Sequence, residues 1–182
     1  MAGDWVDEHP VARELFARGS DVLGYDLLEI CRSGPADKLN TTAVSQPAIL
    51  VTSLAALEVQ RVRDATPLDA AKLTAGLSLG EYTALVFSGA LGFDDAVRIV
   101  AERGRAMQDC AETSPSGMVA VLGMERDAVA ALCETCRGEG VLQVANVLCP
   151  GNIVVSGDLD ACDRIEAAAT AAGAMKGVRL EV

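Results

Sequence analysis

Aromatic residues are scarce in this sequence. They make up 3% of its 182 residues, whereas hydrophobic residues as a whole make up 51%. The core must therefore be built mostly from alanine, valine, leucine and isoleucine, a composition that suits helices packed on a buried sheet. A chain of this length can form one sizeable domain or two small ones, each with a real core.

Positive charge is also in short supply. Fifteen Lys and Arg residues face 26 Asp and Glu residues, for a formal net charge of −11. This balance argues against general binding to nucleic acid or to an anionic membrane. No apolar run is expected to span a bilayer, and the acidic N-terminus lacks the regions of a signal peptide. We therefore predict a cytoplasmic protein without nucleic-acid or membrane partners.

The sequence contains a single histidine, His9, and six cysteines. Cys133 and Cys136 form a C-x-x-C pair, a spacing that can hold zinc or support redox chemistry. However, the pair lies inside an amphipathic helical pattern and no second C-x-x-C is present. In the absence of a signal peptide we expect free reduced thiols, no metal and no cofactor.

Ser78 stands at the centre of a G-x-S-x-G pattern. An apolar segment leads into the pattern through Leu73 and a helical pattern follows from Tyr82, which predicts a strand, a sharp turn and a helix. This is the context of a nucleophile elbow, where a strained turn raises a serine oxygen above the end of a sheet. Gly76 and Gly80 are expected to let the strand and the helix approach closely.

The same pattern also fits an ordinary glycine-rich connection between a strand and a helix, because G-x-S-x-G often occurs by chance. If the elbow is formed, the new helix directs free N–H groups at the site. Such groups can stabilise negative charge on a reacting carbonyl oxygen.

Helical periodicity dominates the first part of the chain. One helix is predicted from Pro10 to Gly24 and a short one from Asp26 to Cys31. A long apolar helix follows, with Ser45 as its N-cap and Pro47 in its first turn. A further helix begins with Asp94 as its cap.

The pattern changes after a linker predicted over Thr113 to Gly117. Strands are predicted over 118–122, 142–147, 153–156 and 174–182, with helices over 126–136 and 159–172. The order β-α-β-β-α-β is that of a ferredoxin-like unit. We therefore predict two domains, residues 1–116 and residues 117–182.

Several stretches, considered together, carry a family resemblance. They are Leu39-Asn40-x-Thr42-x-x-Ser45-Gln46-Pro47-Ala48, Gly76-x-Ser78-Leu79-Gly80-Glu81-Tyr82, Arg103-Gly104-x-x-Met107-Gln108, Asn146, and Pro150-Gly151-x-x-Val154-x-Ser156-Gly157. With this spacing the chain resembles the malonyl-CoA:acyl carrier protein transacylases of fatty acid synthesis over essentially its whole length. The resemblance implies an α/β fold: a partial α/β-hydrolase-like acyltransferase domain, helical around a reduced parallel sheet, with an inserted ferredoxin-like subdomain.

The resemblance also implies an acyl transfer in two steps. Ser78 attacks the thioester of malonyl-CoA, and the pantetheine thiol of acyl carrier protein then takes the malonyl group. The backbone N–H of Leu79 supplies an oxyanion contact, and Arg103 holds the free malonyl carboxylate. Gln46 and Asn146 match positions near the substrate pocket, although a helix-start hydrogen bond for Gln46 and a turn role for Asn146 are equally open.

Some features of the family have no counterpart in this sequence. The family begins with a strand and a G-Q-G-x-Q motif, and its catalytic histidine follows the ferredoxin-like unit. His9 matches no catalytic position, and Leu77 stands where the family usually has histidine. We therefore expect a chain truncated at both ends, in which Ser78 lacks its base and malonyl transfer is impaired.

The sequence is also compatible with two other functions. The chain can be a catalytically inactive relative that binds acyl carrier protein or another synthase component. A general serine hydrolase shares the elbow, but it explains neither Arg103 nor the ferredoxin-like unit.

Acyl carrier proteins are strongly acidic, so docking needs a local basic patch. The candidates for it are Arg98, Arg105, Lys176 and Arg179; the alternative is a scatter of solvated charges.

Overall fold

Two units of different secondary structure make up the computed structural model, which describes residues 2–180. The first unit comprises Met1–Cys110 and the second comprises Ala111–Val182. Helices account for the regular structure of the first unit, whereas the second combines helices with a small antiparallel sheet. The chain therefore has an α/β fold, as the sequence predicts.

The first unit is built from eight helices within the described residues. They are α1 (Trp5–Glu8), α2 (Pro10–Leu23), α3 (Leu27–Ser33), α4 (Ala36–Leu39), α5 (Thr42–Arg63), α6 (Thr66–Asp69), α7 (Gly80–Phe87) and α8 (Phe93–Thr113), the last of which continues into the second unit. Their apolar faces meet in one core, whose largest fully buried side chains include Phe16, Leu27, Leu50, Val51 and Val97.

Local signals set the ends of the early helices. Pro10 occupies the first position of α2, where its missing N–H costs nothing, and Gly24 ends the helix in the left-handed region with φ 76°. The Asp26 side chain caps α3 by accepting a 2.9 Å hydrogen bond from the Glu29 N–H. The predicted bounds of these two helices are confirmed to within two residues.

Helix α5 begins earlier than the sequence predicts. Its N-cap is Thr41, so Ser45 is not the cap and Pro47 lies inside the helix. The Thr42 N–H, one of the unpaired donors of the first turn, donates to Gln108 Oε1 at 3.1 Å. This contact comes from a residue far away in the sequence, and for that reason the local pattern places the start one turn too late.

By length and composition alone, helix α5 could cross a membrane: an 18-residue window of it has a mean hydropathy of 1.3. The expectation that no apolar run is long enough to span a bilayer is therefore wrong. Half of this window is buried inside the protein. Leu50, Val51, Leu54 and Ala55 of this helix lie in the core of the first unit, which accounts for the apolar character of the helix.

The strand predicted before Ser78 is absent. Residues 71–76 have no regular secondary structure, and Leu73 is 91% exposed. A strand needs a neighbour to pair its N–H and C=O groups, and no described residue of the first unit lies in a strand. The reduced parallel sheet expected for this part of the chain is therefore not formed by the described residues.

The second unit follows the predicted order of elements. It contains β1 (Ser116–Leu122), α9 (Arg126–Cys136), β2 (Leu142–Cys149), β3 (Asn152–Asp158), α10 (Leu159–Ala169) and β4 (Lys176–Leu180). The strands lie in the order β2-β3-β1-β4, and every neighbouring pair is antiparallel. The bounds of α9 are as predicted. Glu181 and Val182, the end of the last predicted strand, lie outside the described residues.

The predicted linker is shorter than expected. Helix α8 continues to Thr113 and β1 begins at Ser116, so Ser114 and Pro115 alone separate them. One face of the sheet packs against α9 and α10. This core includes Val119, Val121, Val129, Ile153, Val155 and Ile165.

Candidate functional site

The backbone of Ser78 is strained. Its φ is 53°, and it is the only non-glycine residue with a positive φ among residues 2–180. The left-handed region costs an L-residue roughly 1–2 kcal/mol, so the surrounding turn must hold this conformation. The turn leaves the Ser78 side chain exposed, immediately before α7 begins at Gly80. The strained turn and the helix of an elbow are therefore present, although the strand is not.

Close approach at the turn depends on one glycine rather than two. A Cβ added to Gly76 would collide with the carbonyl group of Gly80 and would lie 2.6 Å from the Glu81 nitrogen. A Cβ at Gly80 would meet nothing within 4 Å. Gly76 therefore allows the incoming chain to lie against the first turn of α7, whereas the expectation that Gly80 does the same is wrong.

The Leu79 N–H is a backbone donor next to Ser78, at the start of α7. The N–H groups of Gly80, Glu81 and Tyr82 donate to the carbonyls of the residues three positions earlier. The Leu79 N–H donates to no backbone carbonyl of the described chain. An unpaired N–H next to a nucleophile is the kind of donor that stabilises an oxyanion.

Arg103, on α8, lies directly at this turn. Its Nη2 donates a 2.7 Å hydrogen bond to Ser78 Oγ, and its Nη1 donates a short hydrogen bond to Gln46 Oε1. The guanidinium carbon also lies 5.8 Å from the centre of the Tyr82 ring. The positive charge is thus held within hydrogen-bond distance of the serine oxygen.

Gln46, on α5, is the one buried polar or charged residue among the described residues, with 6% of its surface exposed. Besides accepting from Arg103, it donates through Nε2 to the Met107 sulfur at 3.3 Å. Both ends of the buried amide are therefore paired, as buried polar groups require.

A close helix crossing supports the Gln46–Arg103 contact. A Cβ at Gly104 would collide with the Thr42 carbonyl, so α8 lies tightly against the start of α5 at this point. The Thr42 hydroxyl donates to the Gly104 carbonyl at 2.8 Å and lies 3.2 Å from Gln108 Oε1. Gln46 lies one helical turn after Thr42, so this crossing sets its distance from Arg103.

No general base contacts Ser78 in the described chain. Among residues 2–180, Arg103 alone has a side chain hydrogen-bonded to the serine hydroxyl, and it is the donor. His9 instead lies with its Nε2 3.2 Å from Arg63 Nη2. A guanidinium stays protonated at any ordinary pH, so it cannot take the serine proton.

The structure brings together three of the predicted site side chains, Ser78, Arg103 and Gln46, and places the Leu79 backbone beside them. Asn146 lies on β2 in the second unit, next to an irregularity in its pairing with β3. Sequence reasoning gave no role to Tyr82 or Met107. Met107 lies four residues after Arg103 on α8, and that helical spacing was the available signal. Tyr82 lies in the first turn of α7, and no spacing in the sequence indicated its place at the site.

The predicted basic patch is largely neutralised by ion pairs. Arg98 pairs with Asp95 at 2.8 Å and Arg179 pairs with Asp163 at 2.9 Å. Arg105 pairs with Glu102. Three of the four candidate cations are therefore balanced by carboxylates, which favours solvated charges over a docking patch formed by these residues.

The C-x-x-C cysteines lie in the core of the second unit. Cys133, Cys136 and Cys162 are buried, whereas Cys110 and Cys149 are exposed. Burial raises the pKa of the Cys133 thiol to about 11. A thiol that stays protonated at neutral pH is a poor nucleophile and a poor metal ligand. Among the described residues, no group of three or more His, Cys, Asp or Glu side chains could hold a metal ion.

The chain is similar in sequence and in structure to several known proteins. The chain is 38% identical over 182 residues to the malonyl CoA-acyl carrier protein transacylase of Escherichia coli (strain K12), covering all of this chain and 58% of that protein. Its structure resembles that of the malonyl CoA-acyl carrier protein transacylase from Coxiella burnetii, with a TM-score of 0.89, 33% identity, and coverage of 98% of this chain and 56% of that one. A malonyl-transacylase solved in complex with its type II PKS acyl-carrier protein matches with a TM-score of 0.88 and 35% identity, over 98% of this chain and 57% of that one.

The chain thus spans somewhat more than half the length of the relatives that it matches. The family model described as "Acyl transferase domain" matches residues 1–182, the whole of the chain. The protein belongs to the acyl transferase domain family.

Proposed function

We propose that this protein takes part in moving a malonyl group from CoA to acyl carrier protein, in fatty acid or polyketide synthesis, through an acyl-Ser78 intermediate. The observation that carries the proposal is the 2.7 Å contact between Arg103 Nη2 and Ser78 Oγ. It places a permanent positive charge beside a strained, exposed serine at the start of a helix.

The position of this charge suits a short dicarboxylic acyl group. In a malonyl ester of Ser78, the free carboxylate carbon is three bonds from Oγ, which puts it within roughly 4 Å of that atom. Arg103 Nη2 lies 2.7 Å from Oγ, within the reach of this carboxylate, and the guanidinium can bind it bidentately. An acetyl group has no carboxylate and gains nothing from the guanidinium.

The Leu79 N–H supports the same chemistry. Attack of Ser78 Oγ on the thioester carbon makes a tetrahedral oxyanion, which the Leu79 N–H stabilises. The intermediate then expels the CoA thiolate, which takes up a proton, and leaves malonyl-Ser78. Attack by the pantetheine thiol of acyl carrier protein forms the new thioester and returns the proton to Ser78.

Ser78 needs a base to remove its proton in the first step. The relatives extend well beyond the matched part, since the chain covers 58% of the Escherichia coli protein. We assign the base, and a second oxyanion donor, to the part of the family's sequence that lies outside the matched region. Removal of a triad member typically leaves roughly 10³–10⁴-fold acceleration over water, so the 182 residues alone should turn over slowly.

The proposal extends to the second unit. Residues 117–182 form a ferredoxin-like subdomain inserted into an α/β-hydrolase-like domain, of which residues 1–116 are a part, and Asn146 contributes to substrate binding. The β-α-β-β-α-β order and the antiparallel strand order β2-β3-β1-β4 support this assignment. The net charge of −11 supports a cytoplasmic protein without nucleic-acid or membrane partners, and the chemistry needs no cofactor.

A second candidate function is favoured by one observation. The Ser78 hydroxyl accepts a hydrogen bond from Arg103 and contacts no base in the described chain. A catalytically inactive relative that binds acyl carrier protein, or another synthase component, would have a site of this kind.

The test is malonyl transfer from CoA to acyl carrier protein, measured for the 182-residue chain and for the whole product of its gene. We expect turnover by the gene product, loss of turnover in Ser78→Ala, and near-background transfer by the 182 residues. Binding of acyl carrier protein without transfer in the gene product would favour the inactive relative. Robust turnover by the 182 residues, abolished by Ser78→Ala, would show that a base other than the one assigned above is at work.

A further inference from the structure

We propose that Gln46 is a positioning residue: it holds the Arg103 guanidinium while leaving its charge uncompensated, and this sets the preference for a dicarboxylic over a neutral acyl group. The inference rests on the proposed function. It begins from the burial of Gln46, whose amide lies in the interior between α5 and α8 with 6% exposure.

The Gln46 amide can take only one orientation. Its Oε1 accepts from Arg103 Nη1 and its Nε2 donates to the Met107 sulfur at 3.3 Å. A thioether can accept a weak hydrogen bond but cannot donate one, and a guanidinium can only donate. The flipped amide would place N–H groups against N–H groups and an oxygen against sulfur, so the two neighbours fix the acceptor toward Arg103.

This acceptor holds the guanidinium at one end. Nη1 is engaged by Gln46, Nη2 reaches Ser78 Oγ at 2.7 Å, and the Tyr82 ring lies 5.8 Å from the guanidinium carbon. Because the guanidinium is planar and rigid, these contacts determine where its remaining N–H groups point. An incoming carboxylate must bind on the side that faces the serine.

The neutrality of Gln46 matters as much as its position. No described carboxylate forms an ion pair with Arg103, although Arg98 and Arg105 on the same helix are paired with acids one turn earlier. At the corresponding position before Arg103 the sequence has Val100. Arg103 is therefore anchored by an uncharged amide, which leaves its charge for the substrate carboxylate.

The informative variants are Gln46→Glu and Gln46→Met. A glutamate keeps the acceptor but pairs with Arg103 and competes with the substrate carboxylate, whereas methionine keeps the approximate size and removes the acceptor. Gln60→Glu is the matched control, since Gln60 lies on the same helix and its side chain donates a solvent-exposed hydrogen bond to the Asp64 carbonyl.

The readout is the affinity for malonyl-CoA and for acetyl-CoA, measured by calorimetry on the gene product, with thermal unfolding as a check of folding. We expect Gln46→Glu to weaken malonyl-CoA binding about tenfold, the size of a lost charge-assisted contact, and to change acetyl-CoA binding less than about twofold. Gln46→Met should reduce the malonyl preference by a smaller factor, and its effect should vanish in the Arg103→Ala background. Gln60→Glu should leave both affinities unchanged.

The outcomes separate the two levels of the proposal. If the wild-type protein prefers malonyl-CoA, and Arg103→Ala removes that preference, but both folded Gln46 variants retain it, this inference is wrong and the proposed function stands. An equal loss of affinity for malonyl-CoA and acetyl-CoA in either variant also overturns the inference, because that result indicates a purely structural role for Gln46. If the wild-type protein does not discriminate between the two ligands, both the inference and the proposed function are wrong.

Discussion

Arg103 Nη2 lies 2.7 Å from Ser78 Oγ, and the two residues are separated by 25 positions in the sequence. One comes from the middle of α8 and the other from the turn before α7. The guanidinium thus binds the serine hydroxyl. Under the proposed function, a substrate carboxylate on the guanidinium would compete with the hydroxyl for the same N–H groups.

The first prediction concerns acyl selectivity. Arg103→Ala should reduce malonyl transfer by the gene product far more than acetyl transfer, because only malonyl carries a carboxylate. The loss of a charge-assisted contact corresponds to roughly 1.5–3 kcal/mol. The measurement is kcat/KM for the two acyl donors. Equal losses with both donors would remove Arg103 from the carboxylate-binding role.

The second prediction separates the two glycines of the G-x-S-x-G pattern. Gly76→Ala should lower the free energy of unfolding of the first unit by roughly 1–3 kcal/mol, because its new Cβ collides with the Gly80 carbonyl group. Gly80→Ala is the matched control, since its Cβ enters open space. Urea unfolding followed by the fluorescence of Trp5, the single tryptophan, reports on this unit. Equal stability of the two variants would contradict the close approach at Gly76.

The third prediction tests the strain at Ser78. At φ 53° a glycine is tolerated better than an alanine, so Ser78→Gly should be more stable than Ser78→Ala. Relief of left-handed strain, less the greater entropy of glycine in the unfolded chain, leaves about 0.5–1 kcal/mol. Both variants lose the hydrogen bond to Arg103, which therefore cancels in the comparison of their urea unfolding curves. A more stable Ser78→Ala would rule out the left-handed turn.

The fourth prediction concerns the stability of the second unit at alkaline pH. Burial raises the pKa of Cys133 to about 11, above the 9.0 of a free thiol, so the folded state binds this proton more tightly than the unfolded state. The resulting contribution to the free energy of unfolding is fully present below about pH 9 and is lost as the pH rises through 11. Its size is roughly 2–3 kcal/mol.

The measurement for this prediction is chemical unfolding followed by far-ultraviolet circular dichroism across that pH range. Burial also raises the pKa of Cys162, so it contributes in the same direction. Cys133→Ala is the control: it should be less stable at neutral pH because of the cavity, but its stability should fall less between pH 9 and pH 11. An identical fall in both proteins would exclude Cys133 as its source.

Several elements follow from local chemistry in the sequence. Pro10 and Gly24 mark the two ends of α2, and the periodicity over Arg126–Cys136 predicts α9 without error. The alternation of short strands and helices after Pro115 was sufficient for the β-α-β-β-α-β order. In each case the signal lies within a few residues of the element that it predicts, so no distant contact is needed to read it.

Other features depend on residues far apart in the chain, which a local pattern does not contain. Helix α5 begins earlier than its local pattern predicts, at a turn where Gln108 accepts a hydrogen bond from the Thr42 N–H. The segment around Leu73 is not a strand, because no neighbouring strand is available to it among the described residues. The resemblance singled out Ser78, Arg103 and Gln46, but it left the role of Gln46 open. Only the packing of α8 against α5, at the point where Gly104 lies on the Thr42 carbonyl, brings the buried amide, the guanidinium and the strained serine into contact.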